Sequence, residues 1–272
     1  MTPSASLAPA AAGQPAAGAD PALSAVGVTM AFGGMRAVDE MSLSLGRGEM
    51  VALIGPNGAG KTTMFNLVAG SLRPTSGRIL IGSADVTGEG PTRRIRRGVG
   101  RTFQIPRPFA EMSVLENVLV GAQSQTGEGI WANFLAPRRV AAEERAAIEK
   151  ARALLEFVTL SHLELEPARV LSGGQRKLLE LARVLMADPD VLLLDEPAAG
   201  VNPALLDLLI DRIVALNGAG KTILLIEHNM DMVARLCSRA VVMAAGRLLA
   251  EGTPDAVAAD PAVIAAYLGD AP

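Results

Sequence analysis

Aromatic residues make up only 3% of this 272-residue chain, so a core drawn from its 50% hydrophobic share must be mostly Ala, Leu, Val and Ile. A single cysteine, Cys237, excludes an internal disulfide framework and suits a reducing compartment. No apolar run approaches the roughly 18 residues that cross a bilayer as a helix, so work at a membrane would need a membrane part from another chain. Charge of one sign is scarce as well. Lys and Arg number 25 against 28 Asp and Glu, and the net charge of −3 argues against nucleic acid held by bulk charge. Residues 1–22 lack the basic stretch and apolar core of a secretory signal. They are dominated by Ala, Pro, Gly and Ser, which predicts a disordered tail, with the folded body starting near Leu23. The length suits one large α/β domain or two small ones.

What is present is a phosphate loop in its required setting. Gly55-Pro56-Asn57-Gly58-Ala59-Gly60-Lys61-Thr62 follows a short apolar strand over residues 50–54 and precedes a helix over residues 63–69. Such a loop turns a row of backbone N–H groups inward, and the helix start adds partial positive charge, so the hollow suits a polyphosphate. Lys61 would reach the outer phosphates and the Thr62 hydroxyl would ligate Mg²⁺. The same letters return at Asn217-Gly218-Ala219-Gly220-Lys221-Thr222, but position 215 is Ala and the segment follows a helix and runs into a strand. That order is wrong for phosphate, so Gly218 and Gly220 are expected to end a helix and form a turn.

Alternation over residues 23–30 and 41–45, the turn Phe32-Gly33-Gly34 and a short strand over 78–81 predict a small antiparallel sheet beside the loop. Residues 105–171 read as mostly helical. Ile148, Ala151, Leu155 and Val158 recur at helical spacing there, in a run too short for a coiled coil. Ser172 can cap a helix running to about residue 187. Residues 191–194, 223–226 and 240–243 are unbroken apolar strands of the kind covered on both faces, with a helix over 229–237 between the last two and two short helices after Thr253.

Ligands of open α/β sheets sit at the carboxyl ends of the strands. Asp195 and Glu196 follow one apolar strand and Glu227-His228 follows another. In a phosphate-loop protein Asp195 would hold the Mg²⁺ shell, and Glu196, one residue on, would serve as general base toward a water. His228, at a matching strand end, would contact the terminal phosphate. Leu171-Ser172-Gly173-Gly174-Gln175 is a second anion-binding helix start. One phosphate tail rarely needs two such sites, whereas two chains set head to tail would use both.

These motifs together resemble the ATP-binding subunit of ABC transporters over about residues 23–268. Gly55 to Thr62 matches its Walker A, Gln104 its Q-loop, Leu171 to Gln175 (with Ser172, Gly173 and Gly174) its signature, Val191 to Glu196 (ending in Asp195 and Glu196) its Walker B, and His228 its switch histidine. Phe32 stands where the family has an aromatic on adenine, and Asn202 replaces the commoner Asp of the D-loop. The phrases Arg101-Thr102-Phe103-Gln104, Glu196-Pro197-Ala198-Ala199-Gly200, Ile226-Glu227-His228-Asn229-Met230 and Ala266-Tyr267-Leu268-Gly269 are similar to the LivG-type subunit of branched-chain amino-acid importers. That type often has Tyr-Gly at the signature, where this chain has Leu-Ser-Gly-Gly-Gln.

The resemblance implies an α/β fold: a P-loop NTPase core with a small antiparallel β subdomain over residues 23–104 and 172–250, an inserted α-helical subdomain over 105–171, and short C-terminal helices and tail over 251–272. It implies ATP and Mg²⁺, the latter on Thr62, Gln104 and Asp195, with Thr63 completing the phosphate contacts. Expected partners are a second ATP-binding subunit, two membrane-spanning permease subunits and, indirectly, an external solute-binding protein, at the cytoplasmic face of the membrane and without nucleic acid. Rival readings are an ABC ATPase for urea, amides or lipid, and a soluble ABC ATPase, which usually carries two nucleotide domains or a long coiled coil. A small-molecule kinase would not require residues 171–175. The cluster Arg93-Arg94-Ile95-Arg96-Arg97 reads as a solvated face rather than a patch for nucleic acid or lipid.

Overall fold

A computed structural model describes residues 21–123 and 136–268, so the predicted tail lies outside the described residues up to position 20, as does part of the helical insert. Two sheets form the frame. The first is antiparallel, in the order β2-β1-β4-β5, from β1 (Leu23–Phe32), β2 (Met35–Leu45), β4 (Ser76–Ile81) and β5 (Ala84–Asp85). Ala22, assigned to the tail from sequence, already packs on it: it is buried and its N–H donates to the Leu45 carbonyl at 2.8 Å.

The second sheet runs β10-β9-β3-β8-β7-β6, from β3 (Met50–Ile54), β6 (Val99–Arg101), β7 (Val191–Asp195), β8 (Thr222–Ile226), β9 (Arg239–Ala244) and β10 (Arg247–Gly252). Its pairs are parallel except β10 on β9. Every residue of β3, β7 and β8 is buried, as their unbroken apolar runs require. Alternation sorts those residues between two cores. Ala52, Ile54, Leu192, Leu194, Ile223 and Leu225 face the larger helical layer, while Val51, Leu53, Val191, Leu193, Leu224 and Ile226 face the antiparallel sheet and α1 (Lys61–Val68).

The helical layer includes α3 (Val114–Leu119), α4 (Pro137–Phe157), α5 (Gly173–Leu185), α6 (Pro203–Gly218) and α7 (Met230–Leu236). Ala151, Leu155 and Val158 of the predicted insert helix are buried in it, and Ile148 is half-buried. Two short helices, α8 (Pro254–Ala258) and α9 (Pro261–Leu268), follow β10.

The second glycine-rich copy does structural work. Helix α6 ends there, and Asn217 Nδ2 donates to the carbonyls of Gly48 and Lys221 at 2.8 and 3.0 Å. Lys221 pairs with Asp188 at 2.9 Å, and the Thr222 hydroxyl accepts from the Gly48 amide.

The arginine cluster requires a correction. It forms α2 (Pro91–Arg96), but Arg94 is 1% exposed rather than solvated. Its guanidinium donates to the carbonyls of Leu67 and Val68, at the end of α1, and to those of Val86 and Glu89. Carbonyls in the last turn of a helix have no partner within it, and Arg94 supplies one from outside. Burial lowers its pKa to about 10. Arg97, by contrast, pairs with Glu89 at the surface.

Candidate functional site

The strand order places β3 between β8 and β9, so the loop after β3 opens at the carboxyl edge of the parallel sheet. Gly60 carries φ of 98° and caps α1. A Cβ on it would meet the Ala37 carbonyl oxygen of β2 at 2.3 Å, so glycine is required for the loop to close on the neighbouring sheet. The Gly246 amide also donates to the Ala59 carbonyl at 3.0 Å. The resulting hollow is lined by Ala37, the loop residues Asn57, Gly58, Ala59, Gly60, Lys61, Thr62 and Thr63, and by Gln104, Glu196 and His228. Gly55 and Pro56 meet it through Lys61, whose Nζ donates to their carbonyls at 2.7 and 2.8 Å. Burial holds the Lys61 ammonium below the ordinary lysine value, against the opposing pull of Glu196 and Asp195.

Two residues far apart in sequence converge on the Glu196 carboxylate. Gln104 Nε2 donates to Glu196 Oε2 at 2.5 Å, and His228 Nε2 lies 2.6 Å from Glu196 Oε1. Glu196 itself has φ of 46°, a left-handed conformation rare outside glycine that persists only where its surroundings enforce it. Backbone bonds hold it there: its amide donates to the Ile226 carbonyl at 3.0 Å, while its own carbonyl accepts from Ala199 N at 3.1 Å and from Lys177 Nζ at 2.5 Å. Glu227 steadies the neighbouring turns by accepting from the amides of Ala198 and His228.

Asp195 sits beside this hollow, in an adjoining one that also includes Thr62, Arg101 and Gln104. Burial raises its pKa above the ordinary aspartate value, against the opposing pull of Arg101. A hydroxyl, an amide and a carboxylate on one wall are the hard oxygen donors a magnesium ion takes, so the residues fit that ion.

Two predicted groups stand apart from the hollow. Phe32 is 46% exposed at the end of β1 and does not line it. Ser172, Gly173, Gly174 and Gln175 form the start of α5, with the capping box complete: the Ser172 hydroxyl accepts from the Gln175 amide, and Gln175 Oε1 accepts from the Ser172 amide. Asn202 performs the same duty for α6, accepting from the Leu205 amide at 2.9 Å.

The sequence profile of the ABC transporter family matches residues 38–199, and that of branched-chain amino acid ATP-binding cassette transporters matches residues 247–272. The chain belongs to the ABC transporter family. A probable LivG branched-chain amino acid transport ATP-binding protein of Archaeoglobus fulgidus is 40% identical over 238 residues, 88% of this cassette and 91% of that protein. The high-affinity LivG protein of Escherichia coli K12 is 42% identical over 250 residues, 91% of this cassette and 98% of its own length. A nucleotide-free ATP-binding cassette from an ABC transporter superposes with a TM-score of 0.79 at 37% identity, covering 90% of this cassette and 97% of that chain. The cassette is thus an ATPase subunit of a transporter, binding ATP and hydrolysing it.

Sequence reasoning missed several members of the cassette's site. Arg101 ends β6, three residues before Gln104, and its guanidinium reaches Asp195 at 3.1 Å and Asn66 at 2.6 Å between the rings of Phe65 and Phe103. Ala37 and Lys177 were missed too. Only Arg101 had a visible signal, a charged residue in the phrase that ends at Gln104.

Proposed function

We propose that this cassette drives an importer of branched-chain or other hydrophobic amino acids, with Glu196 as the general base of ATP hydrolysis. The observation that supports it best is the Glu196 carboxylate bound by Gln104 and His228 in the same hollow as Lys61 and Thr62. ATP places its phosphates on the loop amides of residues 55–63 and on Lys61, and Phe32 meets the adenine. Glu196 takes a proton from the attacking water, with His228 at the terminal phosphate and Gln104 sensing it. Thr62, Gln104 and Asp195 would hold Mg²⁺, which would neutralise charge on the phosphates when bound.

Two cassettes pair head to tail, so that Ser172, Gly173, Gly174 and Gln175 of one close over the nucleotide of the other. The pair works peripherally at the cytoplasmic face, beneath two membrane-spanning subunits that receive solute from an external binding protein. Exposed Ile105, Phe109 and Val120 offer those subunits an apolar surface near a groove lined by Gly121, Gln123 and Arg183. No described helix is long and apolar enough to cross a membrane, which fits a subunit that borrows its membrane part. The residue boundaries expected from sequence, a helical insert over 105–171 between core segments, belong to the same proposal. The cargo follows the names of the relatives and the match over residues 247–272.

The test is Glu196→Gln. Turnover falls by roughly 10²–10⁴, the share of a positioned base, while ATP still binds. Steady-state hydrolysis near the wild-type rate would remove Glu196 from the role. Cargo is read separately, by uptake of labelled leucine against labelled urea in cells lacking and regaining the gene.

A further inference from the structure

Helix α5 begins at the Ser172 cap and sends two buried side chains toward the site of its own chain. Lys177, 9% exposed, donates through Nζ to the Glu196 carbonyl at 2.5 Å. Glu180, 7% exposed and one turn further on, accepts from the Phe103 amide through Oε1 at 2.8 Å. The first bond holds the residue whose backbone is left-handed, and the second holds the residue just before Gln104. Neither side chain lines the hollow of the phosphate loop. Lys177 and Glu180 border, with Thr102 and Asp195, a cavity of about 20 Å³ between helix and site, and Glu180 also borders the open hollow of Thr62, Gln104 and Asp195. The helix start is tight, since a Cβ on Gly174 would come 2.7 Å from Leu205 Cδ1.

A buried ammonium and a buried carboxylate are costly to desolvate, and both are spent here on backbone groups of the site. An α-helix is stiff along its axis, and Glu180 lies about two turns from Ser172. Displacement of the helix start is therefore delivered to the two bonds rather than absorbed within the helix.

We propose that Lys177 and Glu180 are positioning residues that transmit the seating of the Ser172–Gln175 helix start on a partner's nucleotide to Glu196 and Gln104 of their own chain. The inference rests on the head-to-tail pairing proposed above. Each ATP site is then informed by the other through α5, and hydrolysis is cooperative in ATP.

The experiment measures ATP hydrolysis against ATP concentration for the full chain, Lys177→Met, Glu180→Leu and Glu180→Gln, with a thermal melt and fluorescent-ATP binding for each. Gln at 180 keeps an oxygen acceptor for the Phe103 amide. The Hill coefficient is expected above 1 in wild type and Glu180→Gln, and about 1 in Lys177→Met and Glu180→Leu. In the latter two kcat falls roughly ten- to hundredfold while ATP binding stays within about twofold. Lys177→Leu stands in if the Met variant does not fold. Wild-type cooperativity and kcat in both disrupting variants overturn the proposal and leave the pairing intact. A wild type with a Hill coefficient of about 1 also overturns it. Failure of the pairing itself is read apart from this, as a Glu196→Gln chain that sediments as single protomers under saturating Mg-ATP.

Discussion

Arg101 Nη2 and Asp195 Oδ2 form an ion pair at 3.1 Å, with side chains 10% and 6% exposed. Asp195 lies on a fully buried strand, and Arg101 is the cation paired with it. The guanidinium bonds Asn66 of α1 as well, so one side chain ties the helix of the phosphate loop to the end of β7. Removing one member of a buried pair leaves the other charge uncompensated. Arg101→Met should therefore destabilise the fold by about 3–5 kcal/mol. Arg101→Lys should recover only part of this, because an ammonium lacks the planar fork that serves Asn66 and Asp195 together. Urea midpoints at constant m-value check both, and equal midpoints for wild type and Arg101→Met would reject the account.

The two copies of the Asn-Gly-Ala-Gly-Lys-Thr letters allow a matched comparison. Gly60 and Gly220 occupy the same place in the copy, with φ of 98° and 90°. Gly60 faces the Ala37 carbonyl, whereas nothing lies within 4 Å of a Cβ on Gly220. Gly220→Ala should cost about 1–2 kcal/mol for the left-handed backbone alone and leave ATP affinity intact. Gly60→Ala should cost about 3 kcal/mol or more and weaken ATP binding at least tenfold by calorimetry, since the loop must retreat from β2. Equal effects at the two positions would contradict the close-approach argument.

Much of this molecule was legible in its residues because the decisive signals are local. The strands β3, β7 and β8 are continuous apolar runs, and the carboxylates and His228 stand directly at their ends. Ser172 and Gln175 are spaced as a capping box, and the structure closes that box. What escaped depends on distant partners. Strand β6 has three residues, one of them Gly100, and is a strand only because Val99, Gly100 and Arg101 pair with β7. Arg101 was overlooked with it. Strand β10 is a half-exposed edge carrying Arg247 and Glu251, without the apolar run that marked the others. Arg94 looked like one charge in a solvated run, because nothing near it in sequence announces the open carbonyls of α1.

Arg94 gives the next expectation. Replacing it with Met removes a donor from four carbonyls; those of Leu67 and Val86 keep the amides of Gly70 and Glu89, while those of Val68, at the end of the phosphate-loop helix, and Glu89 lose the guanidinium without that backup. Each buried polar group left unpaired costs about 1–3 kcal/mol, so a loss of about 2 kcal/mol or more is expected. Arg93→Ala and Arg96→Ala, at exposed positions of the same helix, should each stay within about 0.5 kcal/mol of wild type. Chemical denaturation of the three variants separates a buried clamp from a solvated charge run. Similar losses in all three would restore the surface reading.

Glu180 predicts a pH dependence with a definite sign. Burial raises its pKa from the ordinary 4.5 to about 7, against the opposing effects of the Phe103 amide, Arg183 and Lys177. The folded chain therefore binds this proton more tightly than the unfolded chain does. The stability it contributes is fully present below about pH 4.5 and is lost as pH rises through about 7. Glu180→Gln cannot titrate and keeps an acceptor for Phe103, so the difference in stability between variant and wild type should widen in the variant's favour from pH 5 to pH 8. Its size should be on the order of 3 kcal/mol, as the shift in proton affinity dictates. Urea unfolding of both proteins without nucleotide, across that range, gives the answer. Parallel curves would mean that Glu180 is ionised throughout, and that the positive charge of Arg183 and Lys177 outweighs its burial.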